Sequence, residues 1–168
     1  MPVGWIIVPL RDQPGRDAFD CGNTDLNRFL GEYARQQRDR RLSLTMVAEE
    51  SESRRIVGYY TLSSTLVVKS DLPPAIGKRL THEVPATLLG RLAVDRESQG
   101  SGLGSALLIH ALRQAAQAAE LVVSHVVVVD AIDSAAVGYY QHFGFSGFAP
   151  TSRRLFLPMD TAAALRRS

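Results

Sequence analysis

Apolar and polar positions alternate along the chain in blocks that define short elements. Trp5 to Val8 reads as a short strand. Asn23 or Thr24 is placed to cap a helix through Phe29, and a second, arginine-rich helix follows near Glu32 to Arg38. Leu42 to Glu49 and Ile56 to Val68 are rich in β-branched and aromatic residues. The charged turn SESRR lies between them, which predicts a hairpin. Lys69 to Pro85 carries three prolines and one glycine, breaks both periodicities, and reads as a long functional loop within the domain. Thr87 to Val94 is another strand. Gly102 to Ala119 has helical spacing, with Leu107, Leu108, Ala111, Leu112 and Ala115 on one face, opposite Arg113, Gln117 and Glu120. Leu121 to Val129 is nearly all valine and predicts a strand buried on both faces. Asp133 or Ser134 then caps a helix through about His142, which Gly144 ends, and Arg154 to Leu157 forms a final strand. This order predicts an α/β (α+β layered) fold: a mixed central β-sheet, partly parallel at its centre, flanked by helices.

A length of 168 residues fits a single domain spanning 1–168. Hydrophobic residues at 45% and charged residues at 21% are ordinary for a globular chain and exclude a disordered one. The longest apolar stretch, Leu121 to Val129, is interrupted by Ser124 and His125, well short of the ~20 residues a membrane helix needs. The first residues lack the basic region and long apolar core of a secretory signal, so a cytoplasmic location is expected. Cys21 is the single cysteine, which excludes an internal disulfide and a cysteine zinc cage, and no metal-ligand cluster is visible. Net charge is only +2, yet every basic residue except Lys69 and Lys78 is arginine. Five arginines fall between Arg28 and Arg41, and Arg153/Arg154 and Arg166/Arg167 add two more blocks. Such blocks are either solvated surface or a footprint for phosphate and carboxylate groups of a macromolecular partner.

The most informative segment is RLAVDRESQGSGLGSALL, Arg91 to Leu108. A strand ends at Val94, a polar turn follows, and Gly100, Gly102 and Gly104 open a helix. Glycines let backbone N–H groups approach an anion with no Cβ in the way, and a helix N-terminus adds partial positive charge. A plain turn and cap would use the same residues. A P-loop needs Lys-Ser/Thr after its last glycine, where Ser105-Ala106 stand, and the glycine spacing misses the dinucleotide fingerprint. The pattern that fits is Q/R-x-x-G-x-G/A, from Gln99 to Gly104. It resembles the acetyl-coenzyme A loop of the GNAT superfamily of N-acetyltransferases. A second element, Asp133-Ser134-Ala135-Ala136-Val137-Gly138-Tyr139-Tyr140-Gln141-His142-Phe143-Gly144-Phe145, is similar to the family's N-x-x-A-x-x-F-Y-x-x-x-G-F. Asp133 replaces the usual Asn and Tyr139 the usual Phe.

The resemblance implies the GNAT acyltransferase fold, with acetyl-CoA as acetyl donor and no metal. It implies contacts to the coenzyme from Leu92, Ala93 and Val94, from Gln99, Gly100, Ser101, Gly102, Leu103, Gly104 and Ser105, and from Asp133, Ala136 and Tyr140. The segments Asp20 to Leu30, Gly58 to Ser63, Leu89 to Asp95 and Arg154 to Met159 extend it to the GNAT toxins of bacterial toxin–antitoxin pairs, of the TacT and AtaT type. That subgroup acetylates the α-amino group of aminoacyl-tRNA and blocks translation. It pairs with a ribbon-helix-helix antitoxin that binds DNA as a complex, and it forms homodimers.

Acetyl transfer to an amine needs a neutral nucleophile, a polarised carbonyl and an acid for the departing thiolate. Tyr140 is the expected acid; a tyrosine simply packed at a helix end is the alternative. Tyr139 is expected to face the core. The backbone N–H of Leu92 or Ala93 is the candidate for polarising the carbonyl. Pro85 to Val94 holds no acid to serve as base, and Glu83 and His82 lie just upstream. A lysine, with pKa ~10.4, would need such a base, whereas an α-amino group at pKa ~7.7–8.0 already presents a neutral fraction. Arg28, Arg35, Arg38, Lys78, Arg79 and Arg91 are the candidates for tRNA phosphates, with an internal salt bridge as the alternative role of Arg91. His110 and His125 are expected in packing roles, and Cys21 as a small buried residue. Two other readings remain open: a GNAT enzyme acting on a small-molecule or protein amine, and a catalytically silent binding module.

Overall fold

The computed structural model describes residues 4–165. Its strands form one seven-stranded mixed sheet in the order β1-β2-β3-β4-β5-β7-β6. They are β1 (Trp5–Pro9), β2 (Leu44–Glu50), β3 (Ile56–Val68), β4 (Glu83–Val94), β5 (Val126–Asp130), β6 (Ser146–Gly147) and β7 (Arg154–Pro158). The helices are α1 (Thr24–Arg28), α2 (Ala34–Asp39), α3 (Pro74–Gly77), α4 (Leu103–Ala118), α5 (Ser134–His142) and α6 (Met159–Ala164). The chain clusters into two compact units: the chain up to Ser63 together with Gly90–Ala111, and Ser64–Leu89 together with the chain from Leu112 on.

In the first unit, β1 and β2 pair antiparallel from Trp5↔Glu50 to Pro9↔Met46, and β2 and β3 form the expected hairpin across SESRR. The two helices expected after Asn23 are one continuous run. α1 passes through a π-turn, Phe29–Tyr33, directly into α2. Phe29, Leu30 and Ala34 of this run are all buried. The wider turn is closed by Ala34 N–H on Phe29 O. These residues join Leu10, Phe19, Val47, Ile56, Tyr59 and Ala93 in one core. Phe19 meets the Tyr59 ring edge-on at 5.6 Å and Phe29 stacks on it at 6.1 Å. Gly58 lets α4 close on β3, since a Cβ there would stand 2.8 Å from Leu107 Cδ1 and 3.1 Å from Ala93 O.

In the second unit, β4 pairs parallel with β5 only from Ala86↔Val126 to Leu89↔Val129, and β5 pairs antiparallel with β7. Val67, Leu72, Val84, Ala86, Val126, Val128 and Phe156 form its core. The proline-rich segment differs from the expected loop. It contains a turn of 3₁₀ helix at Lys69–Asp71, then α3 with Pro74 in its first turn, and β4 begins at Glu83 rather than Thr87. Pro85 sits inside β4 because its carbonyl still accepts from His125 N–H at 2.8 Å, a bond that needs no donor from proline.

The expected strand from Leu121 is also corrected: only Val126–Asp130 is strand. Leu121 and Val122 N–H groups both bond Ala118 O, which closes the end of α4 and removes them from any ladder. Leu121, Val122 and Val123 are accordingly 90%, 77% and 76% exposed. The valines of β5 itself are fully buried between β4 and β7, as its composition requires. β6 and α6 had no sequence signal, one being two residues long and the other a run dominated by small alanines. Among the described residues no helix is long and apolar enough to cross a membrane.

Candidate active site

In the first unit β4 ends at Val94, Asp95 caps a short 3₁₀ turn at Arg96–Ser98, and the glycines lead into α4. Gly100 and Gly102 adopt φ of +79° and +88°, left-handed conformations that favour glycine, and a Cβ at either would meet nothing within 4 Å. Gly102 O accepts the first bond of α4, from Ala106 N–H at 3.1 Å. The N–H groups of Leu103, Gly104 and Ser105 therefore have no acceptor within the helix. Open space beside two glycines, combined with N–H groups at a helix start, fits the pyrophosphate of a coenzyme. Leu103 offers only its backbone, because its side chain is fully buried. Ser101 Oγ bonds back to Ser98 O. Gln99, expected among the coenzyme contacts, instead donates from Nε2 to Cys21 O at 3.1 Å and Val94 O at 3.0 Å.

Arg91, three residues before the end of β4, lays its guanidinium carbon 3.6 Å from the centroid of the Phe29 ring. Among the described residues no carboxylate lies within ion-pair distance of it, which removes the internal salt bridge as its role. The other three arginine candidates of this unit are engaged. Arg28 Nε pairs with Glu32 at 3.0 Å, Arg35 Nη2 with Asp12 at 2.9 Å, and Arg38 Nη2 with Asp39 at 3.0 Å. Arg38 Nη1 also donates to Leu10 O at 2.6 Å. Cys21 is half-buried rather than buried, and partial burial pushes its thiol up, away from the reactive thiolate. His110 Nδ1 meets Tyr60 Oη at 2.7 Å, consistent with its expected packing role. Two residues bearing on this site had no assigned role from sequence: Phe29, which carries Arg91, and Asp95, a buried carboxylate accepting from Asp20 N–H and Glu97 N–H. Asp95 was visible as the acid directly after the apolar end of β4, but its burial was not.

In the second unit Asp133 caps α5, accepting from Ala136 N–H at 2.8 Å, and Gly144 closes the helix with φ +98°. The two tyrosines are reversed from expectation. Tyr140 is the buried ring, 9% exposed, packed edge-on against Tyr139 at 5.6 Å and Phe145 at 5.5 Å, while Tyr139 is half-buried. The helix places 140 inward and 139 a hundred degrees away. Burial pushes the Tyr140 phenol up to about 12, so it holds its proton throughout the neutral range. Among the described residues nothing hydrogen-bonds its hydroxyl, which leaves that proton available. Lys78 and Arg79 are exposed, with no ion-pair partner among the described residues, and Glu83 and His82 are exposed at the start of β4. Arg153 Nη1 donates to Ile132 O and Arg154 pairs with Asp130 at 3.4 Å. Arg166 and Arg167 lie outside the described residues. Among the described residues no group of His, Cys, Asp and Glu is arranged to hold a metal.

A mixed sheet whose long strand leads into a glycine-opened helix with N–H groups unused within the helix suits a transferase that binds a coenzyme through its pyrophosphate. The acetyltransferase (GNAT) domain model matches residues 41–147, and the chain belongs to that family. It is therefore an N-acetyltransferase with acetyl-CoA as acetyl donor. It is 40% identical to the tRNA-acetylating toxin of Mycobacterium tuberculosis (strain ATCC 25618 / H37Rv) over 111 residues, covering 66% of this chain and 67% of that one. Its fold matches AtaT complexed with acetyl-methionyl-tRNAfMet at a TM-score of 0.88 and 28% identity, over 97% of this chain and 99% of that one. It also matches a mutant AtaT bound to the C-terminus of the antitoxin AtaR and acetyl-CoA, at 0.82 and 27%, over 98% and 99%.

Proposed function

We propose that the chain is a toxin of the TacT and AtaT type that acetylates the α-amino group of aminoacyl-tRNA, acting as one catalytic domain. The observation that carries this is the match, over nearly the whole chain, to AtaT holding its acetylated aminoacyl-tRNA. The single-domain reading is supported by β3, β4 and α4, each of which contributes residues to both compact units. Bound acetyl-CoA supplies an activated thioester acyl group. The chain's own residues do the rest. The N–H groups from Gly100 to Ser105, with the backbone of Leu92, Ala93 and Val94, would hold the coenzyme, and the N–H of Leu92 or Ala93 would polarise its carbonyl. Asp133 and Ala136 shape the start of α5, and Tyr140 holds a proton at Oη for the departing sulfur.

The amine must arrive neutral, because the apolar stretch Pro85–Val94 offers no carboxylate to take its proton. An α-amino group meets that condition far better than a lysine. Arg91, Lys78 and Arg79 are the leading phosphate contacts, with Arg28, Arg35 and Arg38 secondary because each already has an acidic neighbour. An antitoxin partner is supported by the AtaT structure bound to the C-terminus of the antitoxin AtaR, and a ribbon-helix-helix antitoxin, a homodimer and a cytoplasmic site of action complete the reading.

The test mixes purified protein and labelled acetyl-CoA with charged tRNA, and with deacylated tRNA as control. Label on the charged pool alone is the expected result. Label on neither pool, from protein that still binds coenzyme A, moves the acceptor to a small-molecule or protein amine.

A further inference from the structure

The glycine loop has few contacts of its own. Gly100 and Gly102 touch nothing at the Cβ position, so the turn ahead of the buried Leu103 gains little side-chain packing to fix its shape. Such a loop loses affinity through the entropy of ordering, unless something holds it beforehand. The structure supplies a brace from elsewhere in the same unit, the turn Asp20–Cys21–Gly22. Arg96 N–H donates to Asp20 O at 2.9 Å, and Asp20 N–H donates to the buried Asp95 Oδ2 at 3.3 Å. Arg96 Nε lies 3.7 Å from Asp20 Oδ2. Gln99 then ties Cys21 O and Val94 O together through its one amide nitrogen.

The turn is itself rigid. Asp20 Oδ1 accepts from Gly22 N–H at 2.9 Å and from Asn27 Nδ2 at 3.0 Å, and Cys21 N–H donates to Asn27 Oδ1 at 2.8 Å. Gly22 has φ +91°, and a Cβ there would stand 3.2 Å from Arg96 Nε, so the turn fits closely under that side chain.

We infer that the Asp20–Gly22 turn is the brace that presets the acetyl-CoA loop, and that Gln99 is a positioning residue acting on the backbone rather than on the coenzyme. This rests on the assignment of Gly100–Ser105 to acetyl-CoA. Its chemistry is specific: two carbonyl oxygens 3.0–3.1 Å from one nitrogen require a donor with two hydrogens. Glutamate has the same shape and neither hydrogen, and it turns a negative charge toward two carbonyls. Arginine keeps N–H donors.

The experiment measures the coenzyme A dissociation constant by calorimetry, together with steady-state kinetics, on full-length protein. Gln99→Glu is expected to weaken coenzyme A about tenfold, since two ordinary hydrogen bonds are lost. The change falls on KM for acetyl-CoA far more than on kcat, and KM for charged tRNA does not follow it. Gln99→Arg is expected to recover most of the affinity. Asp20→Ala weakens coenzyme A as well, and the double variant Asp20→Ala/Gln99→Glu weakens it by clearly less than the product of the two, as for two parts of one brace. Gly102→Val, which puts a branched side chain into the left-handed loop position, tests the underlying assignment. If Gly102→Val abolishes coenzyme A binding while Gln99→Glu leaves it intact, the brace is wrong and the loop assignment stands. Fully multiplicative single effects also overturn the brace. If Gly102→Val binds coenzyme A normally, the loop assignment fails and takes the brace with it. Melting temperatures on the same samples separate any of these losses from unfolding.

Discussion

Tyr140 combines a ring packed against Tyr139 and Phe145 with a hydroxyl that makes no hydrogen bond among the described residues. Tyr140→Phe should therefore keep the melting temperature within about a degree and lower kcat by ~10²-fold or more, the scale of a lost general acid. A stable variant with unchanged kcat would remove Tyr140 from the mechanism. The same burial sets the pH behaviour. Because the phenol is raised to about 12, it remains a donor across any ordinary assay range. The rise of kcat/KM with pH should then follow a single ionisation near or below ~8, belonging to the acceptor amine, and should not turn down before about pH 10. Stability has the opposite slope at high pH. The unfolded chain loses this proton near 10 and the folded one only near 12, so stability is intact below 10 and falls across that window, by up to about 3 kcal/mol for this group. Tyr59 and Tyr60, also raised by burial, add to the loss. Urea unfolding at pH 8 and pH 11 measures it.

Among the elements, the contact of α4 with β3 at Gly58 is the least forgiving. A Cβ there already overlaps Leu107 and crowds the Ala93 carbonyl, and neither the packed leucine nor the backbone can retreat far. Gly58→Val should cost about 1–3 kcal/mol, the usual range for overpacking, seen as a lower denaturant midpoint. The apolar face of α4 that makes this contact was fully legible in its sequence, because a long helix repeats its signal: Leu107, Leu108, Ala111, Leu112 and Ala115 are all buried. The hairpin, the helix capped at Asp133 and the glycine-opened helix were legible for similar reasons, each having a repeated pattern or a cap with a mechanism. What was not legible depended on tertiary partners. The π-turn joining α1 to α2 carried no local signal, because the spacing of Phe29, Leu30 and Ala34 suits an ordinary helix equally well. Leu121–Val123 looked like strand because valine carries β-propensity, yet the N–H groups of Leu121 and Val122 were already taken by the end of α4. The start of β4 was hidden by Pro85, whose carbonyl alone does the pairing. At the site the glycine turn into α4 was readable from spacing, while Tyr140 was singled out only through the family resemblance, and the inward turn of Gln99 and the seat of Arg91 on Phe29 needed three dimensions.

For the molecule as a whole, a net charge of +2 is too small to hold a large polyanion by bulk attraction, so binding must depend on a few well-placed cations. The structure ranks them by what each would give up. Arg28 and Arg35 would have to share phosphate with Glu32 and Asp12, which repel it, and the exposed pairs they leave are themselves worth little. Arg38 holds Leu10 O, so its loss should appear in stability as well as in binding. Among the described residues Lys78 and Arg79 have no such competitor, and Arg91 sits over the Phe29 ring with no carboxylate in ion-pair reach. Each true phosphate contact adds ~0.7–0.9 to the slope of log affinity against log salt. Arg91→Ala should reduce that slope by about this amount for charged tRNA and weaken binding about tenfold at low salt. Arg91→Lys should restore the slope, because the charge returns, but only part of the affinity, because an ammonium neither stacks on Phe29 nor donates as a planar fork. Arg28→Ala should change both quantities much less. Filter-binding titrations of charged tRNA at several salt concentrations read all three variants. An unchanged slope for Arg91→Ala would show that the cation stacked on Phe29 serves the protein's own packing and not the nucleic acid.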